Sequence, residues 1–307
     1  MHIPLYLPGH CSGGEWLARD VAEALTESGH HVTVLCHRSN VTEYEGIEIL
    51  TEKGVGDAIE DLYRKHDIVF THLGTVGDAV NYCRKIGKPL VYYAHNDYRS
   101  SIVEAHPWIK VIYNSRWVAA ALAYTNQSIV VPPILYYDKE YVPTNDGYFL
   151  MVNTNTNKGG DRLKWLAKNT TFNYVAVRGS YGMHVEQPKR VLTYGNNPDI
   201  QQLIAGCMAL LVPSKYESWG RTAAEAMMYG KPVLCNHTPG LAESCDDAAW
   251  FLEDTNQIWL DAVTMINTQG NAYNYLVAAS KARGEEIEEE MPAWREQIVD
   301  FITVIKS

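Results

Sequence analysis

The sequence predicts an α/β protein built on doubly wound parallel sheets. Three observations carry that expectation. Short apolar runs alternate with segments of helical apolar spacing along most of the 307 residues, as repeated βα units do. The alternation breaks once, at Val131-Pro132-Pro133-Ile134-Leu135-Tyr136-Tyr137, and then resumes, so the chain divides into two domains, as its length also suggests. The third observation is one complete βαβ unit near residue 220. Ala209 to Val212 reads as a buried strand, which Pro213 and Ser214 end, and Glu217 to Gly220 form a loop. A helix rich in Ala and Met runs from about Gly220 to Tyr229, stopped by Gly230 and Pro232 before the strand Val233-Leu234-Cys235.

Taken in order, His2 to Leu7 is a first strand and Pro8 to Gly14 a loop. Glu15 to Ser28 carries apolar residues at helical spacing, Gly29 ends that helix, and His31 to Cys36 is the second strand. No G-x-G-x-x-G occurs, and the second strand ends in His37-Arg38, so this opening is no dinucleotide fingerprint. Strands follow at Asp67–His72, Pro89–His95, Val111–Asn114 and Ser128–Val131, with helices at Ala58–Lys65, Val76–Ile86 and Arg116–Tyr124. The second half begins with strand Tyr148–Asn153, a polar loop and helix Gly160–Lys168. Strands Tyr174–Val177 and Val191–Tyr194 and helix Pro198–Cys207 lead into the central βαβ unit. A short helix near 239–244, strand Ala249–Leu252 and helices through Glu290 come after it, and Pro292 separates a last helix, Ala293–Ile305. The domains are therefore expected at 1–135 and 136–290, with 291–307 as a terminal helix.

Composition narrows the function. A formal net charge of −10 makes a basic face for nucleic acid or anionic membrane unexpected. Six cysteines, at 11, 36, 83, 207, 235 and 245, show no zinc spacing and read as buried free thiols. No apolar stretch is long enough to span a bilayer and no leader pattern opens the chain, so a cytoplasmic protein is expected. No D-x-D pair offers ligands for a diphosphate-bridging cation, and no metal is expected. No nucleophilic triad can be placed.

Two carboxylates mark the central unit. Eight residues of helical rise between Glu217 and Glu225 span roughly 12 Å, whereas a retaining glycosidase holds its two carboxyls about 5–5.5 Å apart. The pair suits an elongated ligand with polar groups at both ends. The helix N-terminus between them, Gly220 to Thr222, is a seat for phosphate. A sugar, a phosphate bridge and a ribose fit that order.

The run Pro213-Ser214-x-x-Glu217-Ser218-Trp219-Gly220-x-x-x-x-Glu225-Ala226-Met227-x-x-Gly230-x-Pro232-Val233 resembles the Glu-x7-Glu signature of retaining GT-B glycosyltransferases, family 4 (glycosyl transferases group 1). The resemblance implies two Rossmann-like domains facing a cleft, with the terminal helix crossing back onto the first. It implies that Glu217 contacts the donor sugar, that Glu225 holds the ribose hydroxyls, and that Gly220 and Thr222 lie at the phosphates. Lys158 with its following glycine matches the family's diphosphate lysine. The arginine that usually accompanies it is absent, with Val152 and Asn153 near its place. Arg221, on the first turn of the Glu-x7-Glu helix, is the favoured replacement and Arg178 the other candidate. Gly13 and Gly14 would let backbone approach the donor. His95 resembles the family's histidine near the donor sugar, Asn96 and Asp97 adjoin it, and His72 is a further candidate on that side. His30 and His31 read as structural. Glu217, His95 and Lys158 are thus the expected catalytic groups, and the donor a UDP- or GDP-sugar used without a cofactor or metal. The acceptor would be a glycan or small hydroxyl compound. A non-catalytic sugar-binding module and a nucleotide-sugar epimerase share this architecture and stand as alternatives.

Overall fold

The computed structural model describes residues 1–6, 13–44, 46–135, 137–179, 182–195 and 199–306. Leu7, the loop residues 8–12 with Cys11, Tyr136 and Pro198 lie outside them. Two compact units emerge, Met1–Ile134 with Pro292–Ser307, and Leu135–Met291.

In the first unit, β1 (His2–Tyr6), α1 (Gly13–Glu27), β2 (Thr33–Ser39), β3 (Glu43–Tyr44), β4 (Ile47–Thr51), α2 (Glu52–Val55) and α3 (Ile59–Lys65) come first. They are followed by β5 (Val69–Thr71), α4 (Val76–Ile86), β6 (Leu90–Ala94), α5 (Ser101–Ala105), β7 (Lys110–Tyr113), α6 (Arg116–Leu122) and β8 (Ser128–Val130). The strands form one sheet in the order β3-β4-β2-β1-β5-β6-β7-β8, parallel except for the β3–β4 pair. From β1 the chain builds outward through β2 to β4, then returns to β1's other side with β5. The order reverses between β1 and β5. Both faces are covered: Val34 and Cys36 join α1's Ala18 and Ala22 in one core. Leu35 and the alternate residues of β5–β7 pack with α4's Val76, Ala79, Val80 and Cys83 in the other. Period-two division between two buried faces is why these strands read as continuous apolar runs.

The second unit repeats the plan with β9 (Tyr148–Val152), α7 (Gly160–Asn169), β10 (Asn173–Val177), β11 (Leu192–Tyr194), α8 (Ile200–Gly206) and β12 (Ala209–Val212). After these come α9 (Arg221–Met228), β13 (Val233–Asn236), α10 (Pro239–Cys245), β14 (Trp250–Leu252), α11 (Asn256–Asn267) and α12 (Asn271–Lys306). The sheet order is β11-β10-β9-β12-β13-β14, all parallel, and it reverses between β9 and β12. Phe149, Met151, Ala209 and Leu211 face α7 and α11 across one core. Leu150, Leu210 and Val212 face α8, α9 and α10 across the other.

Three differences from the sequence reading have local causes. The hairpin β3–β4 was not expected; Ile47 and Ile49 are buried with Glu48 exposed between them, and Gly46 turns the chain at φ +78°. Gly13 and Gly14 belong to the first turn of α1 instead of the loop before it. Pro292 does not end a helix, because α12 runs through it. Proline removes one backbone hydrogen bond and crowds the carbonyl four residues earlier, but burial of Ile287 before it and of Trp294, Ile298 and Phe301 after it anchors both arms. Pro292 is instead the residue at which α12 passes from one unit to the other. Within the first unit, Arg295 on this last stretch pairs with Glu27 of α1 at 2.7 Å.

The five described cysteines are free and buried, as expected. Among the described residues no helix is long and apolar enough to cross a membrane.

Candidate functional site

Loops leaving the carboxyl ends of β9 and β12 border the point where the second sheet reverses its order, and open α/β sheets take ligands at such points. Lys158 comes from the first loop and Glu217 from the second. Lys158 Nζ donates to Glu217 Oε1 at 2.6 Å, and the same oxygen accepts from Ser214 Oγ at 2.8 Å. Lys158 Nζ also reaches the Tyr216 carbonyl at 3.4 Å. The pair is only partly shielded, with side chains 30% and 17% exposed, so both charged groups can exchange partners with a ligand.

The two loops are fastened by backbone. Lys215 N donates to the Asn157 carbonyl at 2.9 Å. Gly159 adopts φ +85°, and a Cβ there would lie 2.4 Å from the Pro213 carbonyl oxygen. Only glycine allows that approach while holding the left-handed conformation, which explains the glycine after Lys158. On its other side the Glu217 loop lies against α10. A Cβ on Gly240 would meet the Glu217 carbonyl oxygen at 2.2 Å. Glu217 is therefore held by close-packed backbone on both flanks.

Helix α9 begins directly beyond this loop. Gly220 is its N-cap at φ +82°, with no side chain to cap the helix. Inside the helix, Ala223 and Ala224 N–H groups return to the Gly220 carbonyl. The first turn of a helix presents backbone N–H groups of the kind that suit anionic oxygens. One turn on, Arg221 Nε donates to Glu225 Oε1 at 2.8 Å, with side chains 15% and 12% exposed. Arg178, the other candidate, pairs with Glu186 at 3.4 Å in a well-exposed position. Two acid–base pairs thus lie on either side of the α9 N-terminus, Lys158–Glu217 before it and Arg221–Glu225 on it.

In the first unit, His95 follows β6 and His72 follows β5. His95 is half-buried, its carbonyl accepts from Asn114 Nδ2 at 3.5 Å, and Asn96 Oδ1 accepts from the Tyr98 N–H at 3.0 Å. Burial pulls the His95 imidazole down to about 4. Burial, and then the His95 ring, pull His72 well below the ordinary histidine value. Both imidazoles are neutral at pH 7. An unfolded chain protonates them near pH 6.5 while the folded state resists. The stability they leave intact above pH 6.5 is thus lost as pH falls toward 4, by about 3 kcal/mol for His95 alone. Denaturant titrations at pH 7 and pH 5 are expected to show this fall, and a His72→Phe/His95→Phe double variant to flatten it.

From sequence, Ser214 reads only as the end of a strand and part of the motif, and Gly240 is assigned no role; both roles depend on contacts between loops. The described residues offer one grouping of metal-type donors, His37, Glu52 and Asp78, on the exposed rim of the first unit. Lys158 and Glu217 belong to the other unit.

Comparisons with known proteins bear on this arrangement. Residues 184–281 match the family described as glycosyl transferases group 1, a span that contains Glu217, Gly220, Arg221, Thr222 and Glu225 and stops short of Lys158. HepE of Anabaena, solved in complex with UDP-glucose, is similar over 99% of this chain and 100% of its own, with a TM-score of 0.80 at 18% identity. Sucrose-phosphate synthase of Thermosynechococcus elongatus is similar over 99% and 98%, with a TM-score of 0.77 at 13% identity. WaaG, a glycosyltransferase involved in lipopolysaccharide biosynthesis, gives 0.71 at 16% identity over 98% and 99%. At such identities the likeness speaks for the fold. A protein of Klebsiella pneumoniae described as an uncharacterized 41.2 kDa protein in the cps region is 32% identical over 78 residues, 24% of this chain and 22% of that protein. The matched stretch is thus about a fifth of that relative's length. The chain as a whole has the GT-B fold of these neighbours, and the segment 184–281, which carries the Glu217–Glu225 motif, is similar to glycosyl transferases group 1.

Proposed function

We propose that the chain is a retaining glycosyltransferase that moves a sugar from a UDP-sugar to a hydroxyl of a glycan or glycolipid precursor in the cytoplasm, without a metal. The observation that carries this reading is the Lys158–Glu217 ion pair at the reversal of the second sheet, followed at once by the α9 N-terminus, which no side chain caps. A bare anion finds little net charge there, because each base already holds a carboxylate. A ligand bringing hydroxyl donors for the carboxylates and anionic oxygens for the bases satisfies both members of each pair. A nucleotide sugar is such a ligand, and the UDP-glucose held by HepE supports uridine as the base.

In this reading Glu225 accepts from the ribose hydroxyls and Glu217 from the sugar hydroxyls. Lys158, Arg221 and the first N–H groups of α9 take the diphosphate. The acceptor hydroxyl approaches the anomeric carbon from the leaving-group face. The bond from that carbon to the phosphate oxygen breaks, the bond to the acceptor oxygen forms, and the acceptor's proton passes to the departing phosphate. Charge develops on the diphosphate, where the Lys158 ammonium and the helix N-terminus stabilise it. The same reading gives His95 a hydrogen bond to a sugar hydroxyl and assigns Gly13 and Gly14, at the start of α1, a backbone approach to the donor.

Product analysis tests the reading. Incubation with UDP-sugars and a panel of glycan acceptors is expected to release UDP in step with a new α-configured glycoside when the donor is an α-linked sugar. An altered sugar on intact UDP, formed without acceptor, would indicate an epimerase. Binding with no turnover would indicate a sugar-binding module, which the already neutralised bases would also suit.

A further inference from the structure

His72 occupies a position that the proposed chemistry leaves unused. It directly follows β5, and the first sheet reverses its order between β1 and β5, so His72 stands at that sheet's own ligand-binding edge. It is 3% exposed, and neither of its ring nitrogens has a hydrogen-bond partner among the described residues; nor has His95 Nδ1. Buried polar atoms of this kind are rare, and leaving one unpaired is costly.

The turn carrying His72 is otherwise well satisfied. Thr71 and Thr75 hydroxyls meet at 2.9 Å, and Thr75 Oγ1 donates to the His72 carbonyl at 2.9 Å. The next residue, Leu73, is forced to φ +51°, a costly conformation for a branched side chain. The fold holds this strained turn in place, and the imidazole it presents is turned toward His95. The two ring centres are 5.2 Å apart with planes at 59°. The rings are not bonded in the structure, but an imidazole nitrogen sits about 1 Å from its ring centre, so nitrogens turned to face each other at this spacing would come within about 3 Å, a normal hydrogen-bond length.

We propose that His72 is a positioning residue for His95: a small rotation of the rings joins them by a hydrogen bond that fixes which His95 nitrogen carries the proton. His95 then presents one hydrogen-bonding form to the sugar hydroxyl it contacts. A neutral partner suits this purpose. A carboxylate in its place would draw His95 toward the charged form, whereas a neutral imidazole selects the tautomer and the ring plane without doing so. The inference rests on the proposed contact between His95 and the ligand for its effect on transfer, and on the ring geometry for the link itself.

The experiment combines imidazole nitrogen NMR of the full chain without ligand with steady-state kinetics of UDP-sugar transfer. His95 signals are assigned through His95→Gln. Wild-type His95 is expected in a single neutral tautomer from pH 6 to 8. In His72→Phe both tautomers are expected, with kcat lowered by about tenfold, the equivalent of one hydrogen bond, and KM for the donor within about twofold. His72→Asn, which can still donate and accept, is expected to restore the single tautomer. Should the phenylalanine prevent folding, His72→Leu takes its place. One tautomer persisting after loss of the His72 ring, or kcat unchanged while the tautomers mix, overturns the proposal. Because the NMR arm needs no ligand, it decides the His72–His95 link separately from whether His95 takes part in transfer, which His95→Ala kinetics decide.

Discussion

Replacing Glu217 with alanine is expected to slow sugar transfer by about 100-fold, a loss typical of removing one oriented polar group from a reacting centre. Nucleotide affinity should hold or rise. The two effects separate because Glu217 does two things. In the proposed function its carboxylate orients the sugar, and in the structure its Oε1 also holds Lys158 at 2.6 Å. Without it Lys158 is released toward the diphosphate, so the ground state gains an ion pair while the sugar loses its guide. Glu217→Gln keeps the shape and the hydrogen bond from Ser214 but not the charge, and should fall between. Parallel measurement of kcat and of UDP affinity checks the pair of effects. A fall in affinity equal to the fall in rate would mean that Glu217 serves only to bind.

Glu225→Ala should produce the opposite pattern. Loss of a charged acceptor to two ribose hydroxyls should weaken UDP about 10- to 100-fold, at roughly 1.5–3 kcal/mol for hydrogen bonding to a charged group. Arg221 loses its 2.8 Å partner and becomes freer to meet phosphate, which offsets part of that loss. Inorganic pyrophosphate has no ribose, and its affinity should therefore rise in this variant while that of UDP falls. Calorimetry with both ligands reads the crossing directly. Equal change for both would remove Glu225 from the ribose.

How legible this was in the sequence differs from element to element. Strand β12 was read residue for residue, because a strand covered on both faces is a plain apolar run closed by Pro213. Helix α4 was equally plain, with its apolar face at helical spacing and Gly87 at its C-cap in the left-handed conformation. Hairpin β3–β4 escaped because β3 is two residues long and β4's alternation is brief. Pro292 misled because a local rule about proline met a helix with buried residues on both sides of it. In the site, Glu217, Glu225 and Arg221 lie within one βαβ unit, where spacing along the chain translates into distance. Lys158 meets Glu217 across 59 residues of sequence. Their contact follows only from β9 and β12 being neighbours in the sheet, and strand order is not written in any local pattern. The same holds for His72 and His95, which adjacent strands β5 and β6 bring together.

In the proposed function the second unit holds a nucleoside diphosphate between two acid–base pairs at the α9 N-terminus. Calorimetric titration of the protein with UDP, GDP, ADP and CDP, without added metal, tests it most directly. Saturable binding of UDP, weaker or absent binding of the other three, and UDP affinity about 10- to 100-fold lower in Glu225→Ala are expected. Absence of binding by all four nucleotides would contradict it, and would mean that Lys158 and Arg221, held by their own carboxylates, do not replace the arginine missing near Val152.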